Sequence, residues 1–167
     1  MASDKSGKPA GGGEKLIASN PNRGNFIIHE VVEAGMVLMG TEAKSLRLQS
    51  PNIRDAFIDI GRKGGSLEAW LVNMHIAPYS HGNIWNHEPL RRRKLLLHRH
   101  QIEKLFGAIT QEGMTLIPTR LYFKKGRVKA EVAIAKGKKA HDKRDTLKKK
   151  SADREMKQAM KKAQRRG

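Results

Sequence analysis

The sequence predicts a mainly β protein with one short and one longer helix, followed by a basic tail. Three observations predict it: a β-branched and aliphatic run near the N-terminus, two pairs of strand-like segments around tight glycine turns, and a rise in positive charge after residue 135. Five or six sequential short strands usually close into a small barrel or a sandwich. An OB-like barrel belongs to that set, but the number of strands does not select it.

The first strand region is NFIIHEVVEAGMVLMG, residues 25–40. Its β-branched residues and two glycines favour strand over helix, as two strand arms or one long strand bent by a bulge at residues 33–35. The following TEAKSLR, residues 41–47, predicts a helix of about two turns with Thr41 as its N-cap and Glu42 in its first turn.

Two hairpins follow from the positions of the turns. DAFIDIGR (55–62) and SLEAWLVNMHI (66–76) flank a KGG turn, and residues 114–137 form two strands around Lys124-Lys125-Gly126-Arg127. Between the hairpins, residues 94–113 place apolar side chains at helical spacing and end at Gly113, which predicts the longer helix.

Charge divides the chain into three parts. The formal net charge is +18, and the segment from residue 136 onward holds 14 Lys and Arg against 4 acidic residues. We therefore expect a flexible arm over 1–19, a compact β domain over 20–135 and a basic tail over 136–167. So large a positive charge predicts a polyanionic partner, with nucleic acid favoured over an anionic membrane.

The composition also indicates where the protein works. Without cysteine the chain has no disulfide and no thiolate metal site, which agrees with a reducing compartment. The polar, glycine-rich N-terminus lacks the apolar region of a secretory signal, and no segment reaches membrane-spanning length. We therefore expect a cytoplasmic protein that binds no metal or other cofactor.

Few residues offer catalytic chemistry. His98 and His100 would point about 200° apart on a helix and could not share one metal ion, so a surface role in RNA binding is the better interpretation. Glu33 and Glu42 could act as an acid–base pair. The interpretation that each holds nearby backbone or an arginine is favoured. The sequence predicts no enzyme.

Basic clusters form the candidate binding surface. Lys44 and Arg47 lie three residues apart on the short helix and share a face. A second cluster is the run RRRK at residues 91–94, of which Arg91, Arg93 and Lys94 are candidate RNA contacts. A third surrounds the predicted turn and consists of Lys124, Lys125, Arg127 and Lys129. Because aromatic residues are few, these clusters favour structured RNA over a long single-strand stacking groove.

The tail has a thin apolar stripe and strong self-repulsion. We expect it to be disordered in the free protein, because an isolated helix with 14 positive charges is marginal in water. Phosphates that neutralise those charges would let it fold as a helix.

Four strings together resemble the SsrA-binding protein (SmpB) family of bacterial trans-translation: EAGMVLMGTEAKSLR, NMHIAPY, NHEPLRRRKLLLHRHQIEKL and AKGKKAHDKRDTLK. The resemblance implies an OB-like antiparallel β-barrel that binds the tRNA-like domain of transfer-messenger RNA (tmRNA, SsrA RNA). It implies delivery of that RNA, charged with alanine and accompanied by elongation factor Tu, to 70S ribosomes stalled without a codon in the A site. We expect the protein to act as a monomer.

The resemblance also assigns residues. Glu33, Leu96 and Lys129 fall at positions tied to RNA binding. The tail would occupy the decoding centre and mRNA channel against small-subunit ribosomal RNA, through Gly137, Lys138, Lys139, His141, Asp142, Lys143 and Arg144. The alternatives are a structural ribosomal protein, a general RNA-binding protein or an RNA-processing nuclease.

Overall fold

The described part of the chain folds into one antiparallel sheet of seven strands with three α-helices. The computed structural model describes residues 14–164, except for several side chains of the last helix. The strands are β1 (Lys15–Ser19), β2 (Phe26–Met36), β3 (Phe57–Lys63), β4 (Ser66–Val72), β5 (Arg93–Leu96), β6 (Thr115–Lys124) and β7 (Arg127–Gly137). The helices are α1 (Gly40–Leu48), α2 (Arg99–Glu112) and α3 (Ala140–Gln164).

The strands lie in the order β1-β6-β7-β2-β5-β4-β3. The two edge strands, β1 and β3, are not hydrogen-bonded to each other, although the sheet curls enough to bring Cα atoms of β3 within 8 Å of β6. The predicted mainly β fold is confirmed. It is a barrel only in the loose sense, because the sheet is curled but not closed.

The main core joins buried side chains of the sheet and of α2, and a second, smaller cluster forms around Ile117, Ala133 and Ala135. Leu71, Leu95, Leu105 and Leu121 are at most 1% exposed. Removing these side chains from water is the main favourable contribution to folding. Among the described residues, no helix combines the length and apolar character needed to cross a bilayer.

Both predicted hairpins are confirmed. The β3–β4 loop has positive φ at Gly64 (56°) and Gly65 (85°), and the β6–β7 loop has it at Lys125 (49°) and Gly126 (73°). Two-residue loops with two left-handed residues match the twist of the strands they join. These turns set the register, so that Lys124 pairs with Arg127 and Tyr122 with Lys129.

The region predicted as two arms or one bent strand is the single strand β2. Its register shift lies between Ile28 and Glu30, so the prediction of a bulge at residues 33–35 is wrong. Gly35 is instead the residue at which both neighbours of β2 meet it. The pairing of β2 with β7 ends at Gly35, and its pairing with β5 begins there. A Cβ at Gly35 would lie 3.2 Å from the Cβ of Leu96, so glycine permits close approach of β5.

The longer helix begins later than predicted. Residues 93–96 form β5 instead, because their side chains alternate between the core and the surface, with Arg93 and Leu95 buried and Leu96 exposed. α2 then runs from Arg99 to its predicted end at Gly113, which is left-handed (φ 60°). The shorter helix, α1, is confirmed, but its N-cap is Met39 rather than Thr41.

The two ends of the chain differ from the predicted boundaries. Residues 1–13 of the predicted arm lie outside the described residues, but residues 15–19 form β1, which pairs with β6 and buries Ile17. At the other end, the predicted tail contains the helix α3, and its disorder in the free protein stays a prediction. Lys, Arg, Ala, Met and Gln favour helix, and Asp153 lies four residues before Lys157, which offsets part of the repulsion.

Candidate nucleic-acid interface

The outer face of the sheet gathers residues from four strands into one cleft. Gly35 pairs with Leu96 on one side and with Lys129 on the other. Directly opposed residues in antiparallel strands project to the same side of the sheet, so these three positions form a row. Leu96, which is 54% exposed, is therefore an apolar side chain presented to solvent next to a cation.

The cleft above this row has a volume of about 620 Å³. Cations and apolar side chains share its wall, and α2 closes one end with its first turn. Its lining residues are Glu33, Gly35, Ser66, Leu67, Glu68, Lys94, Leu95, Leu96, Leu97, His98, Gln101, Ile102 and Lys129. The three residues assigned from the family resemblance thus lie in one cavity, together with Lys94 from the basic clusters.

Glu33 organises the cations at the edge of the cleft. Tyr122 donates its hydroxyl to Glu33 Oε2 at 2.5 Å, and Lys124 Nζ donates to the same oxygen at 2.9 Å. Lys129 Nζ lies 3.7 Å from Glu33 Oε1. The hydrogen bond from Tyr122, followed by that from Lys124, holds the pKa of Glu33 below its usual range. Glu33 is therefore ionised at neutral pH and orients two lysines.

Tyr122 is a site residue that the sequence-based assignment missed. Burial, followed by the hydrogen bond to Glu33, raises the pKa of the Tyr122 hydroxyl, so it stays a donor. The signal was present in the predicted turn. A two-residue loop at Lys125–Gly126 places Tyr122 opposite Lys129, and hence on the same face.

Glu42 has a different environment, at the buried start of α1. Its carboxylate accepts hydrogen bonds from Met39 N–H (2.8 Å), Arg91 Nη2 (2.7 Å) and Arg93 Nε (2.8 Å). Burial alone would raise the pKa of Glu42, but these donors and the charge of Arg93 outweigh it, so the pKa lies below its usual value. Glu33 and Glu42 each have their own cations, which agrees with the interpretation that both hold local structure.

Arg93 was assigned to RNA binding, and the structure corrects that assignment. Its side chain is 0% exposed, and besides Glu42 it donates to the carbonyls of Met74 (2.5 Å) and Pro89 (3.0 Å). A guanidinium enclosed in this way cannot reach a phosphate. Arg91, which is 31% exposed, has part of its guanidinium at the surface.

The two cations of α1 remain accessible, each over an aromatic ring. Lys44 Nζ lies 5.6 Å from the ring centroid of Tyr79, and the Arg47 guanidinium lies 5.9 Å from that of Phe123. Such stacking restricts a long side chain without neutralising its charge. Both can therefore still bind an anion.

The histidine pair lies at the start of α2. His98 is the N-cap residue rather than a helical one, and its ring stacks on that of His100 with centroids 5.8 Å apart. The predicted separation of about 200° is therefore wrong. Among the side chains that the structure describes, no three His, Asp or Glu residues are grouped as a metal site.

The tail residues continue directly from the sheet. Gly137 ends β7, and the N–H of Lys138 donates to the carbonyl of Asn25 at 2.9 Å, which ties the start of the tail to the body. Arg144 is exposed on α3. The side chains of His141, Asp142 and Lys143 lie outside those that the structure describes.

Comparison with known proteins gives consistent matches. Residues 17–162 match the family model described as SmpB protein. An SsrA-binding protein from Syntrophotalea carbinolica is 54% identical over 89% of this chain and 97% of its own length. One from Geobacillus thermodenitrificans is 46% identical over 94% of this chain and 99% of its own length.

A solved structure is also similar. It is described by the words "tmRNA-SmpB: a journey to the center of the bacterial ribosome". The likeness has a TM-score of 0.60 and 40% sequence identity, and it covers 75% of this chain and 86% of that one.

Proposed function

This chain belongs to the SmpB protein family, and from that premise we propose that it is an RNA-binding adaptor of trans-translation. It binds the tRNA-like domain of tmRNA and delivers it to ribosomes stalled without a codon in the A site. One observation carries the proposal: relatives named SsrA-binding protein match this chain over nearly their whole length, at 46–54% identity.

The cleft of the outer sheet face is the proposed contact with tmRNA. Lys94 and Lys129 in the cleft, and Lys124 at its edge, supply positive charge for phosphates, and Leu96 supplies an exposed apolar contact. Lys44, Arg47 and the exposed part of Arg91 extend the basic surface. Glu33 orients Lys124 and Lys129, which limits the positions that a phosphate can take.

The tail is the proposed contact with the ribosome. Residues 137–139 and the helix α3, whose first turns carry the assigned tail residues up to Arg144, enter the decoding centre and the empty mRNA channel, where ribosomal phosphates neutralise the basic residues. The bound tmRNA carries alanine and is accompanied by elongation factor Tu. The protein acts as a cytoplasmic monomer and catalyses no reaction, because Glu33 and Glu42, the two candidate acid–base residues, each hold cations.

The experiment is recovery of RNA on the full-length chain, purified from bacterial cells and followed by sequencing of the bound RNA. We expect tmRNA to dominate. Lys129→Ala should reduce the recovered tmRNA. Lys104→Ala is the control and should not, because it removes a cation that pairs with Glu30 and does not line the cleft. Recovery of ribosomal RNA from idle ribosomes instead would favour a structural ribosomal protein.

The two-part mechanism has a separate test. A chain that ends at Lys139 keeps β7 and the Lys138–Asn25 hydrogen bond but lacks α3. We expect it to bind tmRNA normally and to fail in tagging peptides on stalled ribosomes. Loss of tmRNA affinity in this variant would contradict the division between body and tail.

A further inference from the structure

A second cavity lies on the outer face of the β3–β4 hairpin, and the sequence assigned no function to it. Its volume is about 390 Å³, and its lining residues are Asp59, Gly61, Arg62, Lys63, Trp70 and Arg92. Pockets that hold small ligands measure about 300–1,000 Å³. This cavity is thus large enough for one small planar group.

Strand register places this cavity beside the proposed tmRNA cleft. Trp70 pairs with Asp59 on β3 and with Lys94 on β5. The three side chains project to the same side of the sheet, since each is directly opposite the next. Lys94 also lines the first cleft. An RNA strand in that cleft therefore needs to cross only one strand of the sheet to reach Trp70.

Gly61 leaves open space next to the indole. It pairs with Glu68, two residues from Trp70 along β4, and so lies diagonal to the tryptophan. A Cβ built on Gly61 would meet no atom within 4 Å. A flat group can therefore enter beside Trp70 without displacing a side chain of β3 at this position.

Cations surround this space. Lys63 Nζ lies 5.6 Å from the ring centroid of Trp70. Arg92 forms an ion pair with Asp59, which neutralises the carboxylate that would otherwise repel an anion. The cavity thus combines an aromatic face with an excess of positive charge.

We propose that this cavity binds an unpaired base of an RNA strand, stacked on Trp70, with a flanking phosphate held by Lys63. The inference rests on the proposed RNA-binding function and adds a nucleotide site to it. Bases outside a duplex are the ones that stack on aromatic side chains, because a paired base is covered by its neighbours. An acidic peptide would satisfy the cations but would offer no planar face to the indole.

Tryptophan fluorescence tests the proposal directly. The chain has two tryptophans, and Trp85 is 80% exposed on the turn Asn83–Trp85, so Trp85→Phe leaves Trp70 as the single emitter. In this full-length variant we would titrate a single-stranded oligoadenylate of about eight nucleotides, within the 4–16 nucleotides of typical sites. We expect saturable quenching by the single strand and none by a duplex of equal length.

Gly61→Val is the decisive substitution. Valine favours a strand and fills the open space, so the fold is kept while the base is excluded. We expect quenching to disappear and oligonucleotide affinity to fall about tenfold, or about 1.4 kcal/mol, within the range of base–aromatic stacking. Trp70→Ala should lower the oligonucleotide affinity by the same factor, and Trp70→Phe should keep most of the affinity. Circular dichroism melting verifies that each variant is folded.

The outcomes separate this inference from the proposed function. If folded Gly61→Val and Trp70→Ala bind the oligonucleotide as the parent does, the base site is overturned. If adenosine monophosphate quenches as tightly as the oligonucleotide, the cavity is a free-nucleotide site and the RNA-strand proposal is wrong. Both results would leave tmRNA recovery and its dependence on Lys129 intact, whereas failure of the proposed function would abolish that recovery.

Discussion

Glu33 and Glu42 are both glutamates held by two basic side chains, yet their surroundings give them different functions. The side chain of Glu42 is fully buried, whereas that of Glu33 is 38% exposed at the edge of a cleft. The partners of Glu42 are arginines, one of them enclosed with it, and the partners of Glu33 are lysines that solvent reaches. The difference teaches that burial decides which ion pairs can exchange a partner for a phosphate, since an enclosed cation cannot reach one.

The largest expected effect is on stability at Glu42. Glu42→Ala leaves Arg93 charged in the core without its carboxylate, and removal of one partner from a buried pair costs about 3–5 kcal/mol. Chemical denaturation should show this loss in the free energy of unfolding. Glu33→Ala is the matched control and should cost about 1 kcal/mol or less, as surface pairs do. Equal losses would remove the distinction between the two sites.

Acid should reduce the contribution of Glu42 to the stability of the fold. The pKa of Glu42 is lower in the folded chain than its usual value of 4.5, so its contribution to stability is present above that value. The contribution is lost as the pH falls through the folded pKa. Denaturation measured from pH 7 downward should therefore show a difference between wild type and Glu42→Gln that shrinks in acid. A constant difference would contradict the role of the ionised carboxylate.

Glu33→Ala should change RNA discrimination more than stability. Without Glu33, Lys124 and Lys129 lose their orientation while keeping their charge, so binding to unrelated RNA should persist. We expect the preference for tmRNA over an unrelated RNA of equal length to fall about tenfold, in line with the loss of a charge-assisted hydrogen bond. Competition binding measures this ratio, and an unchanged ratio would make Glu33 dispensable.

The smallest effect is expected for single lysines of the interface. Lys129→Ala should lower the slope of log affinity against log salt by about one, because one phosphate contact is lost. Lys104→Ala removes a cation paired with Glu30 and should leave the slope unchanged. Titrations at several salt concentrations give both slopes. A reduced slope for Lys104→Ala would indicate that the basic surface acts without a defined cleft.

Local signals predicted many elements correctly. The turns at Gly64–Gly65 and Lys125–Gly126, and the end of α2 at Gly113, depend on residues that accept positive φ, so they could be located without the fold. The strand β5 could not be, since Leu95-Leu96-Leu97 suits a helix or a strand equally. Pairing with β2 decided it, because Leu95 meets Met36 and Leu96 meets Gly35.

The residues of the candidate site could be predicted only in part from the sequence. Glu33, Leu96 and Lys129 were assigned by resemblance, and the structure brings them into one cleft. Arg91, Arg93 and Lys94 looked equivalent as a basic run. Strand alternation separates them, because it buries Arg93 and turns Lys94 outward. The Trp70 cavity had no sequence signal, since it depends on the pairing of β3 with β4 and of β4 with β5.

By itself, the sequence determined the β-rich class, the turns, the excess of positive charge and the family, because these depend on residue type and spacing along the chain. Tertiary structure alone decided which charges face solvent and which strand receives each segment. Sequence distance does not encode those outcomes, since Glu42 meets Arg93, and Glu33 meets Tyr122, only when distant strands and helices pack together.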